Sequence, residues 1–219
     1  KKPVQCDATK ILCQECELSL EFIHKPFCLK CGEELGQSFE DNTEDCPSCK
    51  GQNFHFARAV AVGRYYGILK DLLLESKSYN GKYLANFLGG LIADRIANED
   101  FMKEINLVIP VPMHWMNFFS IRYNHAELLA RVVAKKSKKP LCIGTLIKKK
   151  RTSRQVGRSK EERKINLRDA FAIKRKKTIS GKNILLIDNV MTTGTTVNRC
   201  TKVLLENGAK SVYVAVVAR

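Results

Sequence analysis

The chain has 219 residues, 44% of them hydrophobic, and a formal net charge of +16. That length buries one substantial core with room for a small appended module, and no run of roughly eighteen apolar residues is present to form a membrane-spanning helix, which excludes membrane insertion of that kind. The charge is uneven: residues 1–51 carry six basic and ten acidic side chains, a net of −4, whereas residues 148–182 carry fifteen basic and three acidic, a net of +12. A field of that sign attracts polyanions such as nucleic acid or a phosphorylated small molecule. The first residues, Lys1 to Cys6, lack the apolar stretch of a secretory signal, so the cytoplasm is the expected compartment.

Seven of the nine cysteines fall in the first 49 residues, six of them as Cys-x2-Cys pairs: Cys13/Cys16, Cys28/Cys31 and Cys46/Cys49. In a chain without an export signal this spacing reads as metal ligation and not as disulfides. Cys28, Cys31, Cys46 and Cys49 make a tetrathiolate of zinc-ribbon type, and Gly32 suits the tight knuckle in which backbone N–H groups face the sulfurs. Cys13 and Cys16 resemble half of a preceding ribbon, for which Cys6 is a candidate third ligand and His24 a candidate fourth; Pro3 stands where a partner of Cys6 would sit. That first site is either a damaged ribbon or a mixed-ligand site, and spacing alone also permits Cys13/Cys16 to pair with Cys28/Cys31. Residues 1–51 are too poor in periodic apolar residues to hold a core without such a staple. They are therefore read as a cysteine-rich module ahead of an α/β domain at 52–219 with a core of its own.

From Phe54 onward the pattern changes. Residues 57–66 look like a strand, and Leu84, Phe87, Leu88, Leu91 and Ile92 recur at helical spacing. Residues 107–111 form a short apolar strand stopped by Pro110 and Pro112, and a helix runs over 124–134. Residues 141–147 are predicted as a strand, followed by the basic stretch. Residues 184–187 are a continuous apolar run, as in strands covered on both faces of a parallel sheet. Val197, Cys200, Thr201 and Leu204 line one face of the next helix, Gly208 ends it, and residues 212–217 close the sheet. Strands alternating with helices predict a doubly wound, mostly parallel sheet.

The most informative string is Asp188, Asn189, Val190, Met191, Thr192, Thr193, Gly194, Thr195 and Thr196. A buried strand delivers Asp188 and Asn189 to its carboxyl end, where ligands of open α/β sheets bind. The threonine-rich turn then opens a helix whose N–H groups and hydroxyls can surround a phosphate, with Gly194 supplying a positive φ and a close backbone approach. A carboxylate just before such a loop accepts hydrogen bonds from ribose hydroxyls. The arrangement fits ribose bearing a 5′-phosphate, whereas a threonine-rich helix cap with Asp188 as a local acceptor accounts for fewer of these residues together.

This string resembles the phosphoribosyl-diphosphate (PRPP) loop of type I phosphoribosyltransferases. The chain as a whole resembles the ComF family of competence-associated, amidophosphoribosyltransferase-like proteins. The residues that carry the resemblance are Lys77 to Lys82, Ile109 to Met113, Tyr123 to Glu127, Thr152 to Gln155, Arg163 to Asn166, Ala170 and Phe171, together with the amino-terminal cysteine pairs. The fold implied is the type I phosphoribosyltransferase α/β fold with a small hood and an amino-terminal zinc ribbon. The resemblance further implies structural Zn2+, Mg2+ carried with PRPP, and Pro110, Val111 and Pro112 meeting the diphosphate. The basic segment 148–170 is then a hood carrying Gln155 and Arg163, and Lys148, Lys149, Lys150, Arg151 and Arg154 are candidates for nucleic acid. The implied role is the uptake and handling of single-stranded DNA during natural transformation, alongside DNA-uptake and helicase machinery. Two departures stand out: Asn189 replaces the second acid of the family's usual pair, and His125 replaces a glutamine. An active transferase acting on a base or amine, and a PRPP or nucleotide sensor contacting protein partners, are the alternatives.

Overall fold

A computed structural model describes residues 11–36, 46–78, 81–113, 123–149 and 170–219. Its elements in chain order are α1 (Gln14–Leu18), β1 (Arg58–Gly63), α2 (Gly67–Glu75), α3 (Leu84–Ile96), β2 (Leu107–Pro110), α4 (His125–Ser137), β3 (Leu146–Lys148), β4 (Phe171–Ile173), α5 (Lys176–Ile179), β5 (Asn183–Val190), α6 (Thr195–Glu206) and β6 (Ser211–Ala218).

The apolar runs at 184–187 and 212–217 become the two inner strands of a parallel sheet ordered β1-β6-β5-β2. Their alternate side chains face opposite layers, because successive residues of a strand point to opposite faces. Ile184, Leu186, Val212, Val214 and Val216 pack on one face with Val197, Cys200 and Leu204 of α6. Leu185, Ile187, Ala215 and Val217 pack on the other with Leu72 and Leu73 of α2, Leu88 and Ile92 of α3, and Leu129 and Val133 of α4. Each fully buried aliphatic side chain contributes about 1.5–3 kcal/mol, so a two-faced apolar strand is stable only between two layers.

Three helices cover the second face, but α6 alone does not cover the first. Cys28, Cys31, Cys46, Cys49, Ile23, Leu35, Phe54 and Phe56 complete that layer, all buried in the same cluster as the sheet residues. The cysteine segment is joined to β1 by hydrogen bonds from Ala59 N–H to Lys30 O (2.9 Å) and from Ile23 N–H to Val62 O (2.9 Å). Gly32 has φ +73, and a Cβ there would lie 2.8 Å from the Ala59 carbonyl oxygen, so the knuckle lies directly on β1. Residues 52–219 therefore share the core of that face with the cysteine segment, while the core of the second face is their own.

Two expectations change. The strand predicted over 141–147 splits: Leu141 makes only an isolated bridge to Val108, while β3 pairs antiparallel with β4 in a separate two-stranded ribbon. Gly144, at φ +73, turns the chain between them. The strand predicted over 57–66 ends at Gly63, and α2 follows. Leu69, Leu72 and Leu73 carry the helical spacing of α2 and are buried. Pro110, which has no N–H to give, ends β2, the outer strand beside β5.

Candidate phosphoribosyl site and cysteine cluster

Asp188 and Asn189 stand half-buried at the carboxyl end of β5. Asp188 Oδ1 accepts the backbone N–H of Asn189 at 2.8 Å. Burial pushes the Asp188 carboxyl up to about 6, against the pull of that N–H and of the Lys77 and Lys148 ammonium groups. Buried Met191 then anchors the turn by donating its N–H to the Ala218 carbonyl at 3.0 Å.

Residues 192–196 follow as an open turn into α6. With Asp188, Val190, Met191 and Val197 they line a pocket that opens to solvent. Thr192, Thr193, Thr195 and Thr196 are exposed, and the Thr193 and Thr195 hydroxyls lie 2.8 Å apart. Among the described residues, the N–H groups of Thr192, Thr193 and Gly194 make no backbone hydrogen bond. Free N–H groups at a helix amino terminus, with hydroxyls beside them, are the donor set that a phosphate takes.

Gly194 adopts φ +72 at the N-cap of α6, as the sequence predicts. The space a Cβ would need is taken by the Phe54 ring, whose Cε1 would lie 2.8 Å away. Asn198, one turn into α6, ties the same segment down. Its Oδ1 accepts His55 N–H at 2.6 Å and lies 3.1 Å from His55 Nδ1, and its Nδ2 donates to the Asn53 carbonyl at 2.9 Å. The loop thus rests on the chain that leaves the last cysteine pair.

On the other side, the register of β2 on β5 sets Pro110 opposite Ile187, and Val111 N–H donates to the Ile187 carbonyl at 2.9 Å. The turn of Pro110, Val111 and Pro112 is thereby brought beside Asp188. Asn124, the N-cap of α4, donates from Nδ2 to Val111 O at 3.0 Å. The Tyr123 hydroxyl lies 2.9 and 2.8 Å from the carbonyls of Ser76 and Ser78. His125, the first residue of α4, is buried with Nδ1 2.9 Å from Asn189 Oδ1. Burial lowers the basicity of this imidazole, the Asn189 bond opposes that, and Lys77 reinforces it.

Lys148, on β3, lies in electrostatic reach of Asp188 and 5.6 Å from the centre of the Phe171 ring. Exposed Lys149 follows it. Lys150, Arg151, Arg154, Gln155 and Arg163, and with them nearly all of the expected hood, lie outside the described residues, as does Cys6.

The sulfurs of Cys28, Cys31, Cys46 and Cys49 all lie within 4.8 Å of one another, with Cys28–Cys49 at 3.7 Å and Cys31–Cys46 at 3.5 Å. Zinc with S ligands at about 2.3 Å has tetrahedral edges near 3.8 Å, so the quartet could hold a zinc ion. It also resolves the open pairing, since Cys28/Cys31 meet Cys46/Cys49 and not Cys13/Cys16. Cys13 caps α1 and Cys16 lies within it. His24 is exposed, and among the described residues no other group of three ligands converges.

Four contributors were not picked out as site residues by sequence reasoning: Lys77, His125, Asn198 and Phe54. Lys77 and His125 lie in the segments that carry the family resemblance. Nothing local marks Asn198 or Phe54, whose partners are more than a hundred residues away.

A parallel sheet with an acid at the end of an inner strand, followed by a threonine-rich turn into a helix, is the type I phosphoribosyltransferase fold. Residues 123–219 match the phosphoribosyl transferase domain family. Over nearly its whole length the chain is similar to proteins named for competence. It is 27% identical to competence protein F of Haemophilus influenzae across 95% of this chain and 90% of that protein. It is 26% identical to competence protein ComFC of Streptococcus pneumoniae across 92% and 84%. Among solved structures it is similar to glutamine PRPP amidotransferase from B. subtilis complexed with ADP and GMP, at 22% identity and a TM-score of 0.46. That similarity covers 63% of this chain and about a quarter (27%) of the longer one.

Proposed function

We propose that the chain binds PRPP or a related phosphoribosyl ligand at the β5–α6 turn and serves in the handling of single-stranded DNA taken up by a competent cell. The observation that carries the ligand is Asp188 at the strand end together with free N–H groups and hydroxyls on the turn after it. The carboxylate accepts from ribose hydroxyls while the turn takes the 5′-phosphate. Magnesium would arrive bound to the ligand's diphosphate and neutralise its charge. The competence proteins to which the chain is similar support the DNA role, and so does the net charge of +12 over residues 148–182.

Calorimetry with PRPP and Mg2+ tests the ligand. Asp188→Ala is expected to weaken binding at least about tenfold, the loss of a charged acceptor; unchanged affinity would sink the assignment. Transfer to a base or amine releases diphosphate from PRPP, and its appearance with candidate nucleophiles would favour the transferase reading. For DNA, affinity for single strands is expected to fall steeply with salt, with a slope of roughly −0.7 per phosphate contacted. Replacing Lys148, Lys149, Lys150 and Arg151 by alanine should shallow that slope by about two to three units. A variant with unaltered slope and affinity would remove DNA from this strip.

A further inference from the structure

Asn189 is the side chain beside Asp188 at the strand end, and an amide presents either its oxygen or its NH2 group to a ligand. Which one it presents depends on what holds the other. Here Oδ1 of Asn189 lies 2.9 Å from His125 Nδ1, across 64 residues of chain. The Asn189 Nδ2 group has no hydrogen-bond partner among the described residues and stands at a half-buried position. His125 is only 4% exposed, and its Nε2 is sealed from solvent without a partner among the described residues.

Three features fix the state of this imidazole. It is the first residue of α4, where the positive end of the helix dipole opposes a cation. Burial of the ring is the larger influence against a cation, and Lys77 acts in the same direction. A second proton would put a charged N–H at Nε2 with no acceptor, a costly arrangement. The ring is therefore neutral and carries one proton. With that proton on Nδ1 it is satisfied by Asn189 Oδ1; on Nε2 it would be a buried donor with nothing to bond.

We infer that His125 is a positioning residue that sets the hydrogen-bonding sense of Asn189. Its Nδ1–H donates to Asn189 Oδ1 and turns the Asn189 NH2 group toward the ligand. The strand end then offers a carboxylate acceptor at Asp188 and an amide donor at Asn189, on consecutive residues at the carboxyl edge of the sheet. A vicinal diol is complementary to that pair, with one hydroxyl donating to Asp188 and the other accepting from Asn189. Such a pair carries one negative charge where two adjacent carboxylates would carry two, and each member bonds its hydroxyl directly. This inference rests on the proposed phosphoribosyl site and specifies how its sugar half is recognised.

The test uses ribose 5-phosphate and 2-deoxyribose 5-phosphate, titrated into the full chain in EDTA and in Mg2+. The wild-type protein is expected to prefer ribose 5-phosphate by about tenfold, the effect of leaving one buried polar partner unpaired. The preference should be the same within about twofold in EDTA, since no metal takes part in it. His125→Phe, which keeps the ring volume and removes the donor, should erase the preference. His125→Gln, whose amide can still donate to Asn189 Oδ1, should restore it, an outcome a packing role would not give. Should His125→Phe fail to fold, Asn189→Leu removes the donor from a half-exposed position and is expected to erase the preference likewise. Retention of the preference in His125→Phe or Asn189→Leu, its loss in His125→Gln, or its dependence on Mg2+ would overturn the inference while leaving the site intact. Absence of ribose 5-phosphate and PRPP binding by the wild-type chain would overturn the site and this inference together.

Discussion

One half-buried carboxylate carries both the function proposed for this protein and a cost to its stability. Asp188 has its proton affinity raised from the ordinary carboxylate range to about 6 because burial strips water from the charge. Between about pH 4 and 6 the folded state holds a proton that the unfolded chain has lost, so stability falls as pH rises through that window. Above it the penalty is complete, on the order of 3 kcal/mol for a rise of this size. Asp188→Asn is therefore expected to melt higher than wild type at pH 7.5, by several degrees, and with no such gain at pH 4. Thermal unfolding at the two pH values measures this; an equal or lower melting temperature at pH 7.5 would show that the neighbouring lysines offset the burial. A ligand that donates hydrogen bonds to Asp188 restores what water gave, which is how a strained site is used.

At the scale of elements, the turn between β5 and α6 is held in shape by a segment that precedes the whole sheet in sequence. Phe54 fills the space beside Gly194, and Asn198 bonds both His55 and Asn53. Gly194→Ala places a methyl group against the Phe54 ring at φ +72, where an L-residue is disfavoured. The expected loss is about 1–3 kcal/mol, backbone strain and overpacking together. Adding Phe54→Leu should recover the packing part and leave the backbone part, so a double-mutant cycle on the denaturation midpoint separates them. Additivity of the two substitutions would mean that the ring and the glycine do not meet. Much of this element pair was legible beforehand. The apolar strand, the acid, the positive φ of Gly194 and the end of α6 at Gly208 all follow from interactions within about four residues. The hydrogen bonds of Asn198 span 143 and 145 residues and leave no trace in local pattern.

At the scale of the molecule, the four-cysteine cluster takes the place that a helix would take on one face of the sheet. It shares a core with Ala59, Ala61, Leu186 and Val214, so its metal is expected to stabilise more than the cysteine segment. Metal analysis should find zinc bound at Cys28, Cys31, Cys46 and Cys49, and Cys28→Ser with Cys46→Ser should abolish it. In that variant amide exchange should accelerate along β1 and at residues 53–56 as well as in the knuckle, because the layer over them has lost its staple. Exchange confined to the cysteine segment would restore the picture of an independent module. Protection unchanged everywhere would mean that hydrophobic packing holds the layer without metal.

The sequence by itself determined the parallel α/β fold, the strand end that carries Asp188, the turn after it, and the cysteines fit for zinc. Each of these rests on short-range regularity: side-chain alternation, helical spacing, turn residues or paired ligands. Only the tertiary structure decided which cysteine pairs meet, that the cluster completes a layer of the sheet, and that His125 holds Asn189. Those are contacts between distant parts of the chain, set by how two faces of one sheet are covered, and the cost of leaving either face bare is what brings them together.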